Sequence, residues 1–249
     1  ERVARSLGAA NYEIVFTSGG TESNNLAIAG YLAKSAEKGK IQHLITSAVE
    51  HNAVLKVCQH LAKGGVELTV LPVDRDGIIN TGELKAAFRE NTALVSIMTA
   101  NNETGVIQPL AEIVEISHEK GVPVHTDAIQ AFGKIPLDVK GLGVDMLSIS
   151  GHKFYGPKGA GALYLRRGIL VDAVVRGGGQ EKGMRGGTEN IPAIAGLGKA
   201  CELAVVGLRD NFIRKKALRD GLQALLLKEI PDTRINGYHG KRIPNTLSV

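Results

Sequence analysis

Residues 148–159 read SISGHKFYGPKG, an apolar strand pattern that breaks at Gly151 into a short polar turn bounded by glycines and carrying His152 and Lys153. Upstream, residues 123–130 read PVHTDAIQ, a second apolar strand that ends on a carboxylate, Asp127. A lysine and a carboxylate that each terminate a buried strand are out of place as ordinary surface charges. Asp127 in particular needs a partner to offset its desolvation.

Outward from these two strands the apolar periodicity alternates between two and 3.6 residues. Strand patterns cover YEIVFTS (12–18), QHLITSAV (42–49), VELTVLPV (66–73) and ALVSIMTA (93–100). Helix patterns cover TESNNLAIAGYLAKSAEKG (21–39), HNAVLKVCQHLAKGG (51–65), TGELKAAFRE (81–90, with Thr81 read as its cap) and PLAEIVEISHEKG (109–121). GAGALYLRR (159–167) reads as a strand running the opposite way. Residues 191–230 are helical almost throughout, with a bend near Gly207, and RIPNTLSV (242–249) reads as the start of a strand. Strands with intervening helices predict an α/β fold, a mostly parallel sheet with helices on both faces and right-handed crossovers.

Composition agrees. Hydrophobic residues make up 43% of the chain, charged residues 22% and aromatics 4%, with no Trp, which suits an aliphatic core around a parallel sheet. The net charge of +5 fits an anionic cofactor or an acidic partner, and with no run of five or six like charges it argues against nucleic acid. No apolar stretch reaches the ~18–20 residues of a membrane span. Cys58 and Cys201 offer neither a disulfide framework nor a metal-ligand spacing and read as small core residues, so a reducing compartment is expected: the cytoplasm, with an organellar matrix left open. The opening ERVARSLGAA reads as the end of an amphipathic helix rather than a signal peptide.

Sheets of this kind collect ligands at the carboxyl ends of their strands. In TSGGTESNN, Gly19, Gly20 and Thr21 can offer backbone N–H groups and a hydroxyl to a phosphate at a helix N-terminus; simple capping by Thr21 or Ser18 is the alternative. His51 follows the next strand and can stack on a flat ring and move protons, or merely cap a helix. Asn101 and Asn102 follow ALVSIMTA and can bind a phenolic oxygen or a carboxylate, or serve as turn residues. Gln130 can reach the same place as Asp127 if the chain turns there, and Ser150, His152 and Lys153 can face one pocket. An amine able to form a Schiff base, a carboxylate for a ring nitrogen and a phosphate cradle are together what pyridoxal 5'-phosphate (PLP) requires.

Six runs, FTSGGTESNNLAI, EHNAVL, TANNETGVIQP, VHTDAIQAFGKIPLD, SISGHKFYGPKGAGALY and GGGQEKGMRGGTEN, make the sequence resemble the cysteine desulfurases of the class-V aminotransferase group, over about residues 12–190. The resemblance implies a fold-type I, PLP-dependent homodimer that converts L-cysteine to L-alanine and passes sulfur on as an enzyme persulfide, to a sulfur acceptor or iron–sulfur scaffold protein. It implies Lys153 for the Schiff base and as base, His51 for ring stacking, Asp127 for the ring nitrogen and Gln130 for the phenolic oxygen. Thr21, Ser150 and His152 would hold the phosphate, Asn102 would lie beside the substrate carboxylate, and Thr188 would reach the phosphate of the neighbouring subunit.

Members of the family carry their nucleophilic cysteine and a substrate-binding arginine in a C-terminal region that has no counterpart before Val249. Cys58, seven residues after His51, is displaced by ~10.5 Å along a shared helix. Residues 1–208 are therefore expected to form a cofactor-binding large domain without its N-terminal segment. Residues 209–249 are expected to be a linker helix and the beginning of an incomplete small domain, in a fragment inactive by itself. A selenocysteine lyase, a transaminase of the same group or an inactive dimeric scaffold are the alternatives.

Overall fold

A computed structural model describes all residues, 1–249. The elements in chain order are α1 (Arg2–Leu7), β1 (Ile14–Thr17), α2 (Gly20–Asn25), α3 (Tyr31–Ser35), β2 (His43–Ser47), α4 (Asn52–Lys63), β3 (Glu67–Leu71), α5 (Thr81–Ala87), β4 (Thr92–Ser96), α6 (Leu110–Glu119), β5 (Val124–Asp127), α7 (Val139–Leu142), β6 (Met146–Ser150), β7 (Gly161–Leu165), α8 (Ile191–Val206) and α9 (Leu208–Glu229). The seven strands form one sheet in the order β1-β7-β6-β5-β4-β2-β3. Only β7 is antiparallel to its neighbours, β6 and β1, as its sequence position predicted.

Both faces of the sheet are apolar because neighbouring residues of each strand point to opposite sides. Leu44, Leu94, Met146 and Leu163 pack with Leu26, Ile28, Val54 and Cys58 beneath α2 and α4. Ile45, Val95, Leu147 and Ile149 pack with Leu7, Leu84, Ile113, Phe132 and Leu197 on the other side. This two-sided burial is what hides a parallel sheet from water.

Between α2 and α3 the helix widens into a π turn at Leu26–Gly30. The Gly30 carbonyl accepts a hydrogen bond from Asp172 N at 2.9 Å. A Cβ at Gly30 would come within 2.6 Å of the Asp172 carbonyl oxygen, so the close approach requires glycine.

On the α2–α4 face a polar row crosses the middle of the sheet. Ser96 Oγ meets His125 Nδ1 at 2.8 Å and Ser148 Oγ meets His125 Nε2 at 3.0 Å. Burial pushes the His125 pKa down to about 3, so the imidazole is neutral and joins β4, β5 and β6 without carrying charge. Asp127, two residues on, lies on the same face.

Two details depart from expectation. Helix α5 is capped by Asn80, whose Oδ1 accepts from Gly82 N (2.8 Å) and Glu83 N (3.3 Å), so Thr81 is its first helical residue rather than its cap. Residues 242–249 form no strand; a single bridge joins Arg242 to Val106, and Pro244 has no N–H with which to extend a ladder. As expected, the long helical stretch bends at Gly207, where α8 and α9 meet at 70°; no residue of α9 is buried. No single helix is long and apolar enough to cross a membrane.

Gly161 lets β7 press against the turn before α2. A Cβ there would sit 2.7 Å from Gly19 Cα and 2.9 Å from the Ile149 carbonyl oxygen, both backbone atoms with little freedom to move. Gly161→Ala should destabilise the protein by roughly 1–3 kcal/mol in urea unfolding. Gly221→Ala, in α9 with open space around the new methyl, should instead stabilise it by roughly 0.5–1 kcal/mol. A neutral Gly161→Ala would refute the tight seating of β7 on the Gly19 turn.

Candidate active site

Each strand that points toward one edge of the sheet, β3 apart, delivers side chains to a single cavity of ≈ 340 Å³. Gly20 and Thr21 follow β1, His51 follows β2, Met98 and Asn102 follow β4, Asp127 and Gln130 come from the end of β5, and Ser150, His152 and Lys153 from the end of β6. Nine of the residues singled out in the sequence therefore converge, as the rule for parallel sheets predicts, whereas Gly19 and Asn101 do not line the cavity. Thr188 also lies outside, in a cleft with Thr17, Ser18, Glu181 and Arg185.

Asp127 dominates the electrostatics. Its residue is 4% exposed; Oδ1 accepts from Ile129 N at 2.9 Å and Oδ2 from Asn24 Nδ2 at 2.7 Å. Burial raises its pKa, against those two hydrogen bonds and the nearby His51 and Lys153. A further cation brought into the cavity would favour the ionised form. Asn24, buried in α2, went unnoticed in the sequence; its own Oδ1 is a buried acceptor without a partner.

No side chain caps α2. Glu22 instead reaches back to Ser18, accepting from its N at 2.9 Å and its Oγ at 2.5 Å, and to Arg185, whose Nε donates at 2.9 Å. Burial would raise the Glu22 pKa, but the bonds from Arg185 and Ser18 hold it below the usual carboxylate value. The first-turn N–H groups, which no helix can satisfy internally, are left without a side-chain cap, and two of the residues that bear them, Gly20 and Thr21, line the cavity. A Cβ at Gly20 would come within 2.1 Å of Ile129 Cδ1 and 3.4 Å of Ser150 Cβ, so the glycine keeps that edge open. Ser150 Oγ and His152 Nδ1 meet at 3.0 Å beside it. Burial first, then the charges of Lys153 and Lys158, lower the His152 pKa.

His51 both caps and lines. Its Nδ1 accepts from Ala53 N at 3.0 Å at the start of α4, which places the ring proton on Nε2. The adjacent asparagines divide: Asn101 is a turn residue, its Oδ1 accepting from Glu103 N and Thr104 N at 2.9 Å each, while Asn102 lines the cavity. Lys153 lies in a short 3-10 turn, Gly151–Phe154, closed by Tyr155 in the left-handed region (φ 67°), and lines both this cavity and a larger one of ≈ 640 Å³ against α8 and α9. Lys158, five residues on, is exposed, as Lys153 is, but lines neither cavity.

The donor set fits PLP: a carboxylate that wants a cation, uncapped N–H groups with hydroxyls for a phosphate, and an amine at the cavity rim. The aminotransferase class-V family matches residues 1–249. The chain belongs to that family. It is 50% identical over 248 residues to cysteine desulfurase IscS of Dictyoglomus turgidum and 51% identical over 249 residues to cysteine desulfurase IscS of Methanosarcina thermophila. Each alignment takes in 100% of this chain but only 62% and 61% of the relative, so the chain spans about three-fifths of their length. Among solved structures, a NifS-like protein superposes with a TM-score of 0.94 at 39% identity, covering 99% of this chain and 67% of the other. DndA of Streptomyces lividans superposes at 0.90 with 38% identity, covering 98% and 69%. The fold is therefore that of fold-type I PLP enzymes.

Glu50, next to His51, also escaped notice in the sequence. It is fully buried, with Oε1 accepting from Ser47 Oγ at 2.7 Å and Met98 N at 2.8 Å and Oε2 without a partner. Burial pushes its pKa up to about 8, only partly countered by those two bonds, so it is neutral at pH 7. A folded-state pKa above the unfolded value means that the stability contribution is complete below the ordinary carboxylate pKa of 4.5 and lost as pH rises through about 8. The unfolding free energy of the native protein should therefore decline between these limits relative to that of Glu50→Gln. Parallel curves for the two proteins would show that Glu50 is ionised in the folded state.

Proposed function

We propose that the whole protein is a cysteine desulfurase, taking sulfur from L-cysteine, leaving L-alanine and handing the sulfur on as a persulfide. One observation carries the reading: Lys153 and the buried Asp127 line one cavity with an open helix N-terminus. Support also comes from relatives named cysteine desulfurase, and from a similar structure, 48% identical with a TM-score of 0.77 over 81% of this chain and 58% of the other, described as SspA in complex with cysteine.

When bound, PLP supplies an aldehyde that condenses with amines and a ring that draws electrons from the carbon bearing the amine. In this reading the Lys153 amine binds the aldehyde and, once released, takes and returns a proton at the substrate Cα. Asp127, held by Asn24 and Ile129, keeps the ring nitrogen protonated. Gly20, Thr21, Ser150 and His152 hold the phosphate, and His51 covers the ring with its Nε2–H free for proton transfer. Gln130 binds the phenolic oxygen and Asn102 the region of the substrate carboxylate.

Cys58 and Cys201 are unsuited to accept the sulfur. Both are buried, and burial pushes each thiol up to about 12, with Glu50 adding to the effect at Cys58, so neither supplies a thiolate near neutral pH. We assign that role to a residue outside these 249. Thr188 is assigned to the phosphate of a second copy in a homodimer. A sulfur acceptor or iron–sulfur scaffold protein in the cytoplasm is the inferred destination of the sulfur.

The whole protein, supplied with L-cysteine and a reductant, should release alanine and sulfide in equal amounts. Asp127→Asn should lower that rate roughly 10- to 150-fold, the equivalent of one charge-assisted hydrogen bond, while bound PLP stays near the native amount because the phosphate anchors persist. Alanine without sulfide would exclude desulfuration. Equal losses of rate and cofactor would make Asp127 a structural residue.

A further inference from the structure

After β5 the chain turns through residues 128–135. Phe132 N donates to Ala128 O and Ile135 N to Ala131 O, bringing residues four apart onto one side. Gly133, with φ of 70°, completes the turn where a Cβ would strike Ala204 Cβ at 2.9 Å. The result faces Lys134 toward Gln130, and Lys134 Nζ donates to Gln130 Oε1 at 2.5 Å. Lys134 takes part in no ion pair, and this is its one side-chain hydrogen bond.

An ammonium offers donors only, so the atom it meets must be the amide oxygen of Gln130. The amide NH₂ is then the half left for the cavity that Gln130 lines. Lys134 itself lines the neighbouring cavity, with Lys153 and Lys215. We propose that Lys134 is a positioning residue, fixing the Gln130 amide so that its NH₂ rather than its oxygen is presented to the phenolic oxygen of the cofactor ring. This rests on the PLP reading of the site and adds to it a residue that need not touch the ring.

The two ends of a side-chain amide are nearly the same size and opposite in polarity. An unpinned Gln130 can turn over and set an acceptor against an anionic oxygen, replacing an attraction by a repulsion. A charge-assisted bond is the stronger kind with which to prevent that. Burial, then the charges of Lys153 and Lys215, lower the Lys134 pKa to about 8, which leaves the amine cationic through the neutral range.

The test is the pH titration of the visible absorbance band of the PLP-loaded protein, with no turnover required. Lys134→Met should raise the midpoint by roughly 0.5–1 unit, the equivalent of one lost hydrogen bond. Lys134→Arg, which keeps the donor and the charge, should restore it and serves as the second variant if Lys134→Met folds poorly. Gln130→Ala should give a similar rise by itself, and Lys134→Met added to Gln130→Ala should change nothing further, because a residue acting through another loses its effect when that other is gone. The proposal is overturned by an unshifted midpoint in Lys134→Met, by failure of Lys134→Arg to restore it, or by the full shift persisting in the Gln130→Ala background, which would make Lys134 a direct electrostatic influence. A native protein that develops no band on loading would overturn the PLP reading and this proposal together.

Discussion

The carboxylate of Asp127 is buried at the carboxyl end of β5, and ionising it costs free energy unless a cation comes to meet it. Asn24 and Ile129 each give one hydrogen bond, and burial still raises its pKa. Ion burial without a charged partner is among the most expensive arrangements a fold can hold. In the proposed reading a protonated ring nitrogen would offset that cost, and in return the carboxylate would keep the ring protonated. Affinity for the cofactor and its electronic state would then come from the same contact.

The sheet is built to hold that carboxylate still. The neutral His125, bridging Ser96 and Ser148, ties β4, β5 and β6 together on the same face as Asp127. Asn24 extends the tie into α2, the helix whose uncapped start lines the same cavity through Gly20 and Thr21. The proposed ring and phosphate sites would therefore be linked through one short helix. Gly20 and Gly161 keep that helix start close to β6 and β7, each where an added methyl would meet neighbouring atoms. Glu50 fastens the loops after β2 and β4, through Ser47 and Met98, without adding a second negative charge next to Asp127 at neutral pH.

The strand and helix order was legible because each strand has a clear apolar run and each crossover an amphipathic one. The site residues were legible because they sit where such runs end. Asn24 was not: it lies within a helix, and its meaning comes from a partner 103 residues away. Glu50 could not be separated from an exposed residue near a helix start until its burial was known. Asn80 and Thr81 are both good caps, so sequence alone could not say which residue takes that position. The pair Asn101–Asn102 looked uniform, whereas hydrogen bonds to Glu103 and Thr104 commit the first to the turn and leave the second for the cavity. Residues 242–249 alternate well enough for a strand, yet they find only a single bridge, at Arg242.

The central claim is that Lys153, among the several amines near the two cavities, is the one that holds the cofactor. Borohydride reduction of the PLP-loaded protein, followed by proteolysis and mass analysis, tests it without requiring turnover. The account predicts one pyridoxyl group per chain, on Lys153 within the 148–159 stretch, and none on the Lys153→Ala protein. A label on Lys158, Lys134 or Lys215 in the native protein would contradict it.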